Sequence, residues 1–339
     1  MTQPLDIENR ESLLAYLRRH GRISPRESPR TTNLAGGVSN RTVLLERASG
    51  ESWVLKQSLE KLRVQADWFS DPRRIEREAL GMQLLAEIAP PGSITPLIFL
   101  DPECHLLAME AVPQPHENWK TLLLSGRPEP DHVRQFARIL AAIHRAGFLR
   151  REQFAIEFED RSFFESLRLE PYYEYSARRV PEVAPFLQKL VDETRATRET
   201  LVHGDFSPKN ILVHEGRLIL LDHEVIHFGD GAFDLGFALT HFLSKANHLK
   251  ERRDDFADAA NSFWLIYRVA LGEVAWAAAL EERACRHTLA CLLARCVGRS
   301  PLEYLTPSEA AAQVDAVSST MEAPPHSVQR LVDEFIRQV

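Results

Sequence analysis

The chain has 339 residues, 44% of them hydrophobic and 26% charged, with a formal net charge of −7. That balance gives a globular chain of about two domains with a core of its own and excludes a disordered or low-complexity one. The negative charge disfavours nucleic acid as a partner, which calls for a basic face against phosphates. The four cysteines, Cys104, Cys285, Cys291 and Cys296, form no C-x-x-C pair, so neither a zinc site nor a redox motif is expected. Residues 1–10 are polar and acidic, which predicts no signal peptide. The longest apolar stretch, near Val269–Leu280, is interrupted by Glu273 and falls short of the roughly 20 residues of a membrane span. A cytoplasmic chain without a membrane partner is the expectation.

Glu8–His20 reads as a helix with Leu13, Leu14 and Leu17 on one face and Gly21 as its stop. Thr42–Glu46 and Trp53–Gln57 read as strands joined across Ser49-Gly50. Arg73–Ile88 reads as a helix ended by Pro90-Pro91, with two further strands at Ile94–Phe99 and His105–Glu110. Val112-Pro113-Gln114-Pro115 marks a connector. Helical patterns follow at Trp119–Leu124, His132–Ala146, Val183–Thr197, Gly231–Leu243, Phe256–Leu280 and Arg286–Cys296. Between them Ile211–Val213 and Leu218–Leu221 form a short hairpin across Glu215-Gly216. The pattern is a small β-rich lobe over 1–110, a linker over 111–116 and a larger helical lobe over 117–339.

The segment that carries chemistry is His203-Gly204-Asp205-Phe206-Ser207-Pro208-Lys209-Asn210, followed after the hairpin by Leu220-Leu221-Asp222-His223-Glu224. An Asp, an Asn five residues on, and an Asp at the far end of a hairpin match the catalytic loop and metal-binding Asp of kinases. Phosphoryl transfer explains the residue types. A carboxylate, Asp205, orients the acceptor hydroxyl and takes its proton, while the oxygens of Asn210 and Asp222 hold Mg²⁺ against nucleotide phosphates. His203 fits a supporting role. The plainer reading, in which these polar residues only serve turns, stays open at this point.

These motifs resemble the aminoglycoside phosphotransferase/choline kinase superfamily. The resemblance implies an α+β, protein-kinase-like bilobal fold, with a small antiparallel sheet above a larger, mainly helical lobe. It implies ATP and Mg²⁺, and a small molecule bearing a hydroxyl as acceptor, such as a sugar, an amino alcohol or an aminoglycoside. Gly36, Gly37, Ser39 and Asn40 would then cover the phosphates. Lys56, inside an apolar strand, would pair with them, and Glu78 would brace it. Glu76 lies about 200° further round the helix, so both cannot face Lys56. Glu110 and Val112 would offer backbone groups to adenine. Asp234 would anchor the catalytic loop or simply cap a helix.

Within the superfamily the chain most resembles 5-methylthioribose kinase, through Lys56–Val64 with Trp68 beyond it, Arg168–Tyr172, Asp222–Gly229 and Ala294–Gly298. That favours a methylthioribose-like sugar, with Arg295, Arg299 and Glu224 as candidate acceptor contacts. Three departures stand against it: Asn210 where that branch has a small residue, His223 in place of proline, and the single Arg295 where the branch has a pair. Other readings are a nucleotide-binding regulatory module without catalysis, or a metal-dependent hydrolase built on His203, His223, His227, His241 and His248. A homodimer is compatible with everything read.

Overall fold

The computed structural model describes residues 5–34, 39–63, 68–274 and 279–339. Helix α1 (Arg10–Arg19) starts at Asn9, whose side chain accepts from the Ser12 N–H and so satisfies one of the free donors of the first turn. Strands β1 (Arg30–Asn33), β2 (Asn40–Glu46) and β3 (Ser52–Ser58) follow, then helix α2 (Arg74–Ile88) and strands β4 (Leu97–Asp101) and β5 (Leu106–Glu110). The five strands form one sheet in the order β1-β2-β3-β5-β4, antiparallel throughout.

The two-residue period of β3 decides what each face carries. Trp53 and Leu55 pack with Leu13 and Leu17 of α1. Val54 packs on the opposite side with Ile75, Ala79 and Met82 of α2. Lys56 shares the parity of Val54 and is thereby delivered to the α2 side.

The larger lobe opens with β6 (His116–Asn118), α3 (Trp119–Leu124), α4 (Pro130–Leu149) and α5 (Arg151–Glu157). Helix α6 (Ser162–Phe164) runs through a π-helical stretch, Glu165–Glu174, into α7 (Tyr175–Arg179), and α8 (Ala184–Ala196) follows. Pro171 sits inside the π stretch; it has no N–H to give and crowds an ordinary α turn, and a wider turn relieves both. Then come β7 (Thr200–Val202), β8 (Ile211–His214), β9 (Arg217–Leu220) and β10 (His227–Gly229). Helices α9 (Ala232–His248), α10 (Arg253–Leu271), α11 (Leu280–Val297), α12 (Pro307–Met321) and α13 (Val328–Gln338) complete the lobe. The sheet and the helical lobe agree with the α+β class expected from sequence.

Strand β10 pairs back on β7, His227 opposite Val202, so residues 203–226 form one loop closed at its base. Inside it β8 and β9 make the expected hairpin. Glu215 and Gly216 both adopt positive φ, 48° and 73°, as a tight two-residue hairpin turn requires. Phe206 fastens the loop to the core by stacking on Phe136 at 4.2 Å between ring centres.

Two sequence expectations are corrected. Phe256–Leu280 is not one helix: α10 ends at Leu271 because Gly272 takes φ 71°, a left-handed conformation that stops a helix, and α11 starts afresh at Leu280. The strand expected at Ile94–Phe99 starts only at Leu97, with Pro96 just before it; Ile94 instead bridges to Leu220 of β9.

At Gly236 helix α9 comes up against α11 with no side chain of its own between them. A Cβ on Gly236 would lie 2.4 Å from the Cβ of His287 and 2.7 Å from the Thr288 nitrogen. Gly236→Ala is expected to destabilise the chain by about 3 kcal/mol, at the upper end of overpacking costs because backbone must move. Urea unfolding checks it, and a loss no larger than that of an exposed helix substitution would refute the close crossing.

Candidate functional site

The site lies where the sheet faces the loop closed by β7 and β10. Lys56 of β3 donates to Glu78 of α2 at 2.5 Å and to Asp222 at 3.0 Å. Burial would pull the Lys56 ammonium down, but the carboxylates of Asp222 and Glu78 outweigh it and hold it raised. Burial would likewise lift Asp222, and Lys56 and then Lys209 hold it well below the usual carboxylate range. Glu78 is pushed up to about 7: burial leads, Lys56 opposes, and the carboxylates of Asp222 and Glu224 add to the rise. Asp222 takes φ 69°, a left-handed conformation that costs little for Asp and marks a functional turn when held in place.

The hairpin brings the remaining groups in. Leu221 N–H donates to the Asn210 carbonyl at 2.9 Å, so Asn210 and Asp222 sit side by side at the hairpin's open end. The Asn210 amide nitrogen donates to Asp205 Oδ2 at 2.6 Å, which commits the nitrogen and leaves the amide oxygen to other partners. Asp205 also forms ion pairs with Arg168 at 2.9 Å and Lys209 at 3.0 Å. Burial would raise its carboxyl; Arg168, then Lys209, outweigh that and hold it below its ordinary value. Asp234, in the first turn of α9, accepts the backbone N–H groups of His203 at 2.7 Å and Gly204 at 2.8 Å. His144 stands behind it at 3.2 Å. Of its two sequence readings, Asp234 is a loop anchor; the cap position of α9 belongs to Gly231.

One atom of Glu78, one of Asp222 and one of Glu224 lie within 4.8 Å of one another. Glu78 Oε2 is buried and, among the described residues, has no hydrogen-bond partner. Hard carboxylate oxygens with an amide oxygen nearby fit Mg²⁺, and do not fit a metal that asks for histidine or thiolate.

The phosphotransferase enzyme family profile matches residues 30–287, well over half of the chain. The chain belongs to this family. A methylthioribose kinase from Pectobacterium atrosepticum is 27% identical over 267 residues, covering 69% of this chain and 64% of that protein. One from Yersinia enterocolitica is 26% identical, covering 67% and 63%. The chain thus spans less than two thirds of the length of these curated relatives. Among solved structures, a Plasmodium vivax ethanolamine kinase superposes with a TM-score of 0.56 at 12% identity, covering 91% of this chain and 89% of that one. A choline kinase from Streptococcus pneumoniae gives 0.53 at 15%, covering 92% and 99%. At such identity the likeness shows the fold, the protein-kinase-like one expected from the motifs.

The other sequence candidates of this phosphotransferase fall as follows. Gly36 and Gly37 lie outside the described residues. Asn40 donates to Glu224 at 3.2 Å and accepts from the Ser58 hydroxyl at 2.9 Å, while the Ser39 carbonyl accepts from Arg74. Glu110 N–H is spent on the Pro96 carbonyl at 2.9 Å, and the Val112 carbonyl lies 3.1 Å from the His116 ring. Glu224 sits beside Lys56 and Asp222, where Arg74 donates to it at 3.1 Å. Arg295 donates to the Tyr172 hydroxyl at 3.1 Å, and Arg299 to Glu170 at 3.1 Å. Arg63 is clamped to Glu8, and Trp68 packs with Leu62, Phe163 and Val225.

Sequence reasoning missed Arg74, Arg168 and Lys209. Arg74, wholly buried, reaches Glu224 and the carbonyls of Ser39, Leu59, Ser70 and Asp71. Arg168 donates to the Gly204 carbonyl at 2.7 Å besides pairing Asp205. Arg74 left no trace; Arg168 stood as a lone cation flanked by leucines in a stretch read for resemblance, and Lys209 lay inside the catalytic-loop motif with no role given to it.

The histidines do not converge on a metal. His203 and His223 lie 3.1 Å apart ring to ring, His227 stacks on Phe164, and His248 meets Glu309. Burial pulls His203, His223, His227 and His241 below their ordinary value, His227 to about 4. The unfolded chain protonates these rings below about pH 6.5, whereas the folded chain resists. The unfolded state therefore binds more protons, and stability falls as pH drops from about 6.5 towards 4. His227 alone should account for about 3 kcal/mol at the lower end. Urea midpoints across this range check it; a flat profile down to about pH 5 would contradict neutral burial of these rings.

Proposed function

We propose that this phosphotransferase is an ATP-dependent kinase that moves the γ-phosphate to a hydroxyl of a small molecule in the cytoplasm, with no nucleic acid or membrane partner. What carries the reading is one set of contacts: Lys56 bridging Glu78 and Asp222, with Asn210 and Asp205 hydrogen-bonded next to them.

Lys56, braced by Glu78, holds the nucleotide phosphates, and the segment from Gly36 to Asn40 covers them. Backbone groups near Glu110 and Val112 hold adenine. Asn210 and Asp222 hold Mg²⁺, and Glu224 belongs with them rather than with the acceptor, because it shares the cluster of Glu78 and Asp222. The ion, when bound, neutralises charge on the transferring phosphoryl group. Asp205 receives the acceptor hydroxyl as a hydrogen-bond donor, aims its oxygen and takes its proton as the new bond forms. Arg168 fixes the Asp205 carboxylate in place and offsets its charge. Arg295 and Arg299 stand on the acceptor side.

The acceptor is a small alcohol. Similarity to methylthioribose kinases makes a methylthioribose-like sugar the first to test, ahead of amino alcohols and aminoglycosides. The test is ATP consumption with Mg²⁺ across a library of small alcohols. One chemical class driving ADP formation far above the acceptor-free rate is expected. Binding of Mg·ATP with no transfer to any alcohol would instead favour a regulatory module.

A further inference from the structure

Beyond the catalytic loop, α9 presents Phe237, His241 and Lys245 at four-residue spacing, a stripe advancing about 6 Å per step. It begins at Arg168, whose guanidinium lies 6.0 Å from the Phe237 ring centre and pairs with Asp205. It ends in an accumulation of positive charge. Lys245 has no exposed surface; it donates to the His241 carbonyl at 3.2 Å and lies over the face of Tyr304 at 5.2 Å. Arg295 is 7% exposed and lies 5.8 Å over Tyr172. Among the described residues neither cation has an ion pair. Lys120 at the start of α3 pairs with Glu303, whose side chain is 66% exposed.

A buried cation without a carboxylate is costly, and several together more so. Burial first, then Lys120 and Arg295, pull the Lys245 ammonium down to about 7. The polar inventory points the same way. His241, 3% exposed, has a ring Nε2 without a hydrogen-bond partner among the described residues, and so has the Nε of Arg295. Burial first, then the charges of Lys245, Arg295, Lys209 and Lys120, hold the His241 ring well below its ordinary value. Donors and positive charge are thus gathered where the protein supplies one largely exposed carboxylate.

We propose that the acceptor bears an anionic group, a carboxylate or a phosphate, held by Arg295, Lys120 and His241 with Lys245 reinforcing the field from behind, while its hydroxyl is presented to Asp205. This rests on the kinase reading and puts an anionic alcohol ahead of the neutral methylthioribose-like sugar as its acceptor. A choline-like or aminoglycoside acceptor would be repelled here, and a neutral sugar would leave the charge uncompensated.

Thermal-shift titrations of the full chain test it, with gluconate as the acid, glucose phosphate as the phosphate, and ribose and ethanolamine as neutral and cationic probes, all at millimolar concentration. At least one anionic probe is expected to raise the melting temperature while ribose and ethanolamine do not, and the responding one tells carboxylate from phosphate. Lys245→Met should raise the melting temperature of the ligand-free chain, because it removes an uncompensated charge, and weaken binding of the responding anion about tenfold. Shifts from ribose or ethanolamine equal to those from the anions would overturn the proposal. So would silence from both anionic probes, or undiminished anion binding by Lys245→Met. Mg·ATP is titrated in parallel on the unmodified chain; failure there would sink the kinase reading itself, whatever the anions do.

Discussion

Asp205→Asn is expected to lower kcat by roughly 10²–10⁴-fold, the range for loss of a positioned general base, while Mg·ATP still stabilises the protein. The two effects separate because Asp205 lies with Arg168, Lys209 and Asn210, whereas nucleotide binding is assigned to Lys56, Glu78 and Asp222. An asparagine keeps the shape and one accepting oxygen, and removes the charge that takes the proton. The substitution also leaves Arg168 and Lys209 without their anion, so some loss of stability accompanies it. For that reason the Mg·ATP shift, worth about 2.7 kcal/mol at a hundredfold excess over Kd, is measured on the same preparation. Retained turnover on the true acceptor, or joint loss of turnover and nucleotide binding, would contradict the assignment.

Arg74→Met is expected to have the largest effect on stability, about 3–5 kcal/mol, the cost of leaving one member of a buried pair without its counter-charge. Arg74 and Glu224 are both buried, and among the described residues Glu224 would then keep the Asn40 amide as its one hydrogen-bond donor. The same guanidinium ties down the Ser39 and Leu59 carbonyls. A second consequence is therefore a higher KM for ATP, since the end of the phosphate-covering segment loses its tether. Urea unfolding and steady-state kinetics read the two separately. A stable variant with an unchanged KM would show that Arg74 neither carries buried charge balance nor holds that segment.

Why some of this could be read from the sequence and some could not is a matter of range. Asp205, Asn210 and Asp222 lie on one hairpin-bearing loop, so their spacing already encodes their proximity. The position of Lys56 follows from the period of β3, and Glu78 from the helical rotation that turns Glu76 away. Arg74 and Arg168 were not legible in that way: their partners Glu224 and Asp205 are 150 and 37 positions distant, and nothing local distinguishes an arginine that will be buried. Strands β7 and β10 have three residues each, too few for a period to register, yet their pairing closes the loop. The π stretch contradicts the ordinary meaning of Pro171, and Gly272 ended a helix whose apolar pattern ran on. Arg295 was singled out by resemblance, but its meeting with Lys245 was not legible, since only the packing of α9 and α11 brings the two towards one another.

The most direct test is a crystal structure with Mg²⁺ and a non-hydrolysable ATP analogue. The account predicts the metal on oxygens of Asn210 and Asp222, the phosphates within hydrogen-bond reach of Lys56, and the γ-phosphate facing Asp205. A nucleotide seated elsewhere, or a metal that avoids Asp222, would contradict it.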